Sequence, residues 1–95
     1  PSTPELNWKL AEGEPHALVA KLQQQAQAFP NAQRVITIDG VRAEYADGFG
    51  LARASNTTPV IVLRFEGKTP EAMKKIQEEF RKALQPLKAD VKLPY

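Results

Sequence analysis

Between two apolar runs, Phe49–Ala54 and Val60–Phe65, lies the segment Arg53-Ala54-Ser55-Asn56-Thr57-Thr58-Pro59. It gathers one guanidinium, the hydroxyls of Ser55, Thr57 and Thr58, and the side-chain amide of Asn56. Arginine keeps its charge throughout the physiological range and presents a planar fork of donors. Hydroxyls, an amide and the backbone N–H groups of a short polar loop add further donors beside that charge. Such a set suits the gripping of a tetrahedral oxyanion such as phosphate through charge-assisted hydrogen bonds. The competing reading is an ordinary polar hairpin, with Ser55 and Asn56 chosen for turn geometry. Asn56-Thr57-Thr58 also fits a glycosylation acceptor, a pattern common by chance and unsupported by any sign of secretion. Ser55 as the nucleophile of a hydrolase would need a base, and the single histidine, His16, is the only candidate.

A loop of this kind has to be held by strands, and the flanking pattern supplies them. Leu6, Trp8 and Leu10 alternate with Asn7 and Lys9, as in a half-buried strand. Gly13-Glu14-Pro15 opens a helix with its proline where the missing N–H costs little. Leu18, Leu22, Ala26 and Phe29 fall on one face of that helix, and Pro30-Asn31 ends it. Val35–Ile38 is a strand closed by the turn pair Asp39-Gly40. Val41, Ala43 and Tyr45 form the return strand, and Asp47-Gly48 turns the chain into the next, where Arg53 shares the parity of Phe49 and Leu51. Val60–Leu63 is apolar on both parities, as expected of a central strand covered on both faces. Thr69 caps a last helix with Pro70 and Glu71 in its first turn. Met73, Ile76, Phe80, Ala83 and Leu84 are its apolar stripe, Pro86 limits it, and Val91–Tyr95 is a short extended tail.

The order is β-α, a run of antiparallel strands, then α. Two amphipathic helices need an apolar partner, and one face of the sheet serves both, giving an α+β two-layer sandwich with a four- to five-stranded, mainly antiparallel sheet. Ninety-five residues form one small domain, and the mixture of 42% hydrophobic and 25% charged residues is that of a globular fold. The net charge of +2 comes from 13 basic and 11 acidic side chains spread along the chain, without the basic stripe of a nucleic-acid binder. Arg34, Arg42 and Arg64 read as exposed strand charges that discourage edge pairing. With no cysteine, thiol catalysis and disulfides are excluded. One histidine does not make a metal cluster, and no apolar run approaches the length needed to cross a bilayer. Pro1–Pro4 reads as a linker, so the chain is expected to be a piece of a longer protein, with a domain at 5–95.

The loop, framed by Asp39-Gly40-Val41-Arg42 and Gly48-Phe49-Gly50-Leu51, resembles the C-terminal domain of the α-D-phosphohexomutases. Within that family it is most similar to the bacterial phosphomannomutase/phosphoglucomutase branch. The resemblance continues through Val62-Leu63-Arg64-Phe65-Glu66 and Thr69-Pro70-Glu71, and Ser2-Thr3-Pro4-Glu5-Leu6-Asn7 is similar to the segment entering that domain. It covers essentially the whole chain. It implies a fold of the TATA-box-binding-protein-like type and a place as the fourth, mobile domain of a cytoplasmic enzyme. That enzyme interconverts 1-phospho and 6-phospho hexoses through a bisphosphorylated intermediate. Arg53, Ser55, Asn56 and Thr57 then correspond to the loop that binds the phosphate not being transferred. Thr58 stands where relatives often have Glu. The implied partners are the other three domains and the 1-phosphates, 6-phosphates and 1,6-bisphosphates of glucose and mannose, with no nucleic acid and no membrane. The phosphoserine, the Mg²⁺ site and the sugar-reading loop belong to the other domains, so no catalytic or metal-binding residue is expected here. The chain alone is expected to be inactive and to hold a phosphosugar at about millimolar affinity or weaker. The alternative is a stand-alone α+β interaction or nucleic-acid-binding module.

Overall fold

Period-two alternation in Val41–Tyr45 and its neighbours produces a five-stranded sheet, antiparallel throughout, in the spatial order β1-β5-β4-β3-β2. The strands are β1 (Leu6–Lys9), β2 (Arg34–Ile36), β3 (Val41–Tyr45), β4 (Gly48–Ala54) and β5 (Val60–Gly67), with helices α1 (Glu14–Gln23) and α2 (Pro70–Leu84). The computed structural model describes residues 1–95, apart from the side chain of Ala26. The expected place of Ala26 on the apolar face of α1 therefore lies outside the described residues. The expected α+β two-layer sandwich is the observed architecture, with both helices on one face of the sheet.

That inner face carries Trp8, Val41, Ala43, Ala52, Ile61, Leu63 and Phe65, all buried. From α1 come Leu18, Val19 and Leu22, and from α2 come Ile76, Phe80, Ala83 and Leu84. Each large apolar side chain removed from water contributes about 1.5–3 kcal/mol. Phe80 sits between Phe29 and Phe65, with ring centroids 4.7 and 5.3 Å away. Gly50 of β4 lets it approach: a Cβ there would lie 2.8 Å from Phe80 Cζ and 2.9 Å from Cδ1. The tail closes the rim, with Trp8 Nε1–H donating to Val91 O, Leu93 buried, and the Tyr95 ring edge-on to Phe65.

Several local expectations are corrected. Helix α1 stops at Gln23 rather than continuing to Phe29. A continuous helix would carry Phe29 about 10 Å along the axis beyond Leu22, whereas a 3₁₀ turn at Ala26–Ala28 brings its ring against Phe80. Strand β2 ends at Ile36, opposite Arg42, so Thr37–Gly40 is a connection and Ile38 is 94% exposed. The Gln23 amide replaces strand partners there, donating to Thr37 O and Gly40 O. The next turn is Ala46-Asp47, because Tyr45 pairs with Gly48. Strand β5 is interior to the sheet, but only its inner face meets the helices. Val62 points outward and is half-buried between its ladder neighbours Arg53 and Asn7. Residues Pro1 and Thr3, within the segment read as a linker, also bond to β5. Gly67 N–H donates to Pro1 O, Thr3 N–H donates to Phe65 O, and Phe65 N–H donates to Thr3 Oγ1.

Thr69 caps α2 as expected, its Oγ1 accepting from Ala72 N–H at 3.1 Å. Burial is the main reason the phenols of Tyr45 and Tyr95 are pushed above their ordinary value; the Tyr45 hydrogen bond to Glu79 adds to its shift. A raised folded-state value favours the neutral phenol in the native protein. The stabilisation is then complete below about pH 10, the unfolded phenol value, and is lost as pH rises through the higher folded values. Ultraviolet titration should therefore find neither tyrosine ionising near pH 10 in the folded chain, with tyrosinate appearing only together with unfolding. Gly50→Ala should lower stability by about 1–3 kcal/mol in urea denaturation, because Phe80 is caged and cannot yield to the added methyl.

Candidate functional site

Strands β4 and β5 pair continuously from Gly48 opposite Gly67 to Ala54 opposite Ile61, and Ser55–Pro59 is the connection beyond the last pair. The connection is fixed at its base. Ser55 N–H donates to Val60 O at 3.0 Å, Val60 N–H to Thr58 O at 2.8 Å, and Leu10 N–H to Pro59 O at 2.9 Å. The last of these ties the loop to the chain leaving β1.

Within the loop the donors converge on Ser55 Oγ. It accepts from Thr57 N–H at 3.2 Å, Thr58 N–H at 3.3 Å and the Thr58 hydroxyl at 3.3 Å. Thr57 Oγ1 lies a further 3.3 Å from it. Asn56, Thr57 and Thr58 are exposed and Ser55 is half-buried. Consecutive N–H groups aimed at one oxygen form a small concave cradle, which the serine hydroxyl fills. Among the described residues, Ser55 Oγ bonds only to groups of this loop. His16 is exposed on α1, and no base meets the serine, so nothing favours the hydrolase reading.

Arg53 enters from the outer face of β4, on the side away from the helices, as its shared parity with Phe49 and Leu51 requires. Its Nη1 lies 3.6 Å from Asp39 Oδ2, with the two side chains 52% and 75% exposed. The structure thus brings Arg53, Ser55, Asn56, Thr57 and Thr58 together at one end of the sheet. It adds Asp39, which the sequence reading treated only as a turn residue.

Two other arginines of the outer face are engaged differently, while Arg64 of β5 is exposed. Arg34 and Arg42 each reach Glu44 at 3.0 Å. The Arg42 hydrogen bond is the main cause, with Arg34 adding to it, that holds the Glu44 carboxyl below its usual range. The Arg42 guanidinium also lies 4.1 Å over the Phe49 ring, covering the one aromatic ring of that face. A nucleic-acid reader would need such rings open for stacking. A second polar cluster went unseen in the sequence. Glu79, 9% exposed, accepts from Tyr45 O–H at 2.8 Å, from Asn31 N–H at 3.3 Å and from the Asn31 amide. Its position three residues after Ile76 on the apolar face of α2 was the available signal. Among the described residues, every buried side-chain polar atom has a partner, and no group of three or more His, Cys, Asp or Glu could hold a metal ion. No helix is long and apolar enough to cross a membrane.

Fold and loop together define an α+β domain with a hydroxyl- and amide-rich connection between β4 and β5. Residues 5–83 match the family described as phosphoglucomutase/phosphomannomutase, C-terminal domain, and the chain belongs to that family. A phosphoglucomutase of Neisseria meningitidis serogroup B is 52% identical over 85 residues, which is 88% of this chain and 18% of that protein. A phosphomannomutase/phosphoglucomutase of Pseudomonas aeruginosa is 43% identical over 94 residues, covering 99% of this chain and 20% of the relative. The crystal structure of a phosphoglucomutase/phosphomannomutase family protein from Burkholderia thailandensis superposes on all of this chain with a TM-score of 0.86 at 49% identity. The match takes up 19% of that structure's chain. The chain thus spans about a fifth of the length of these relatives.

Because the contacts around Ser55 Oγ are local and largely solvated, Ser55→Ala should change folding stability by no more than about 0.5 kcal/mol. The amide protons of Thr57 and Thr58 should nonetheless lose their acceptor. Faster hydrogen exchange and shifted amide resonances at those two residues, with the sheet signals unmoved, are the expected result.

Proposed function

We propose that this chain is the substrate-phosphate-binding domain of a phosphohexomutase, holding the phosphate of the sugar that is not being transferred. The observation that carries the reading is Arg53 standing beside the N–H-rich Ser55–Thr58 cradle on a loop anchored at both ends. Family membership supports it, since the relatives are named for acting on phosphosugars. A non-reacting phosphate supplies binding energy remote from the chemistry, which orients the sugar so that the reacting hydroxyl meets its partner. Arg53 supplies a charge-assisted contact, and the Ser55, Thr57 and Thr58 hydroxyls, the Asn56 amide and the loop N–H groups supply the remaining donors. Each well-formed charged hydrogen bond contributes about 1.5–3 kcal/mol.

In the same proposal, residues 1–4 join this domain to the rest of a longer cytoplasmic enzyme, and residues 5–95 move to close its cleft. The bonds of Pro1 and Thr3 to β5 make the joining segment travel with the sheet. Phosphoryl transfer and its Mg²⁺ then belong to the other domains, and the chain alone is inactive.

Titration of the isotope-labelled chain with glucose 1-phosphate should shift the amide signals of Arg53–Thr58 with an affinity of about millimolar. Silence of that loop at high ligand concentration, with shifts elsewhere, would overturn the assignment. In the longer enzyme, Arg53→Ala should lower kcat/KM roughly a hundredfold, equivalent to about 2.7 kcal/mol of transition-state binding, while leaving the melting temperature unchanged. Near-normal turnover in that variant would contradict the reading.

A further inference from the structure

Asp39 is held where it is by contacts that have nothing to do with its own side chain. Gly40, next to it, adopts φ 80°, a conformation that L side chains rarely take. A Cβ at Gly40 would press on Ala52 O and lie 3.0 Å from Arg53 Cα and 3.2 Å from Arg53 Cβ. The turn is therefore seated directly on the backbone of Arg53. From the other side the Gln23 side chain spans the turn, donating to Thr37 O at 3.0 Å and Gly40 O at 3.1 Å. A clamped turn thus places the Asp39 carboxylate beside the long side chain of Arg53.

The contact itself is loose. At 3.6 Å the Nη1–Oδ2 separation exceeds the 2.7–2.9 Å of a charge-assisted hydrogen bond. A carboxylate bracing a guanidinium plane makes short, paired contacts, and Asp39 makes one long one. With 52% and 75% of the two side chains exposed, water screens the pair and it adds little to folding stability. What remains is electrostatic: a negative charge that attracts the Arg53 head and repels any other anion drawn to it.

We propose that Asp39 is a positioning residue that competes with bound phosphate for Arg53 and so limits how tightly the loop holds a phosphosugar. The inference rests on the phosphate-binding reading above. An incoming dianion has to draw the guanidinium from Asp39 and then sit close to that like charge. The same self-satisfaction recurs in the cradle, where Thr57 and Thr58 N–H groups spend their bonds on Ser55 Oγ. Both halves of the site give up an internal partner when they take a ligand. The consequence is catalytic economy. Tight binding that is equal in ground and transition states does not raise kcat, and a phosphate held too firmly slows product release.

The test compares the labelled chain with Asp39→Asn and Asp39→Glu in titrations with glucose 1-phosphate. These are run above the second phosphate pKa of about 6, at low and at high salt. Removing one fixed charge near a dianion should tighten binding about three- to tenfold at low salt, with the gain shrinking at high salt. Asp39→Glu should behave like the unaltered chain, and the Arg53 side-chain N–H signal should move on Asp39→Asn before any ligand is added. A turn effect unrelated to charge would not follow salt in this way. Equal or weaker binding by Asp39→Asn, with Arg53–Thr58 still responding to ligand, overturns the competition and leaves the phosphate site standing. No response of the loop in any of the three chains overturns both readings. Should Asp39→Asn lose the folded amide spectrum, Asp39→Ser carries the same comparison.

Discussion

Everything the loop does depends on the ladder between β4 and β5. Seven consecutive residue pairs, from Gly48–Gly67 to Ala54–Ile61, leave little freedom in where the connection Ser55–Pro59 emerges. The ladder is itself held flat against α2 because Gly50 admits the Phe80 ring, which Phe29 and Phe65 cage. Core packing on the inner face therefore sets the direction of Arg53 on the outer face. Since strand side chains alternate, a one-residue slip would turn Arg53 inward and every buried neighbour outward. The hydrophobic pattern forbids that slip, so the position of the guanidinium is secured by residues that never touch a ligand.

Much of this was legible in the sequence, for identifiable reasons. The strands around Val41–Tyr45 and Val60–Phe65, the Thr69 cap and the α2 stripe are local signals that packing reinforces. The loop was legible because polar chemistry between two apolar runs has few structural alternatives. What the sequence hid was set by contacts between distant residues. The end of α1 at Gln23 depends on Phe29 reaching Phe80 and on the Gln23 amide reaching Thr37 and Gly40. The exposure of Ile38 depends on that same clamp, which replaces strand pairing beyond Ile36. Glu79 was overlooked because a carboxylate on a helix is usually solvated, whereas here Tyr45 and Asn31 meet it from other elements. The pairing of Asp39 with Arg53 joins a turn to a strand residue fourteen positions further along the chain, which no local pattern displays.

The outer face of the sheet shows how fold and function divide the basic residues. Arg34 and Arg42 converge on Glu44, and Arg42 also lies over Phe49. Their charge is largely spent within the face, and their apolar stems shield strand residues that no helix covers. Arg53, at the far end of β4, has one loose partner among the described residues. An arginine already holding a short bond to a carboxylate is a poorer ligand-binding group, because that bond must be broken first. A guanidinium with one long contact is ready to exchange. The same residue type thus serves as cover in one part of the sheet and stays more loosely held in another, where the proposed binding role falls.

The energetic separation between site and core follows from exposure. Phe80, Ile61, Leu63 and Trp8 are at most 1% exposed and carry the stability of the sandwich, whereas Arg53 and Asp39 are more than half exposed and contribute little to it. Changes at the loop can therefore alter affinity without threatening the fold, and the loop can exchange internal for external partners at small cost. The cradle around Ser55 Oγ works on the same terms: its bonds are local and mostly solvated, so replacing the serine oxygen by a phosphate oxygen trades one acceptor for a more highly charged one. Under the proposed phosphate-binding role, a site built this way would hold an anion reversibly and weakly when it stands alone. On the same proposal, strong binding would have to come from groups facing it across a cleft, each adding contacts to a ligand that this loop orients.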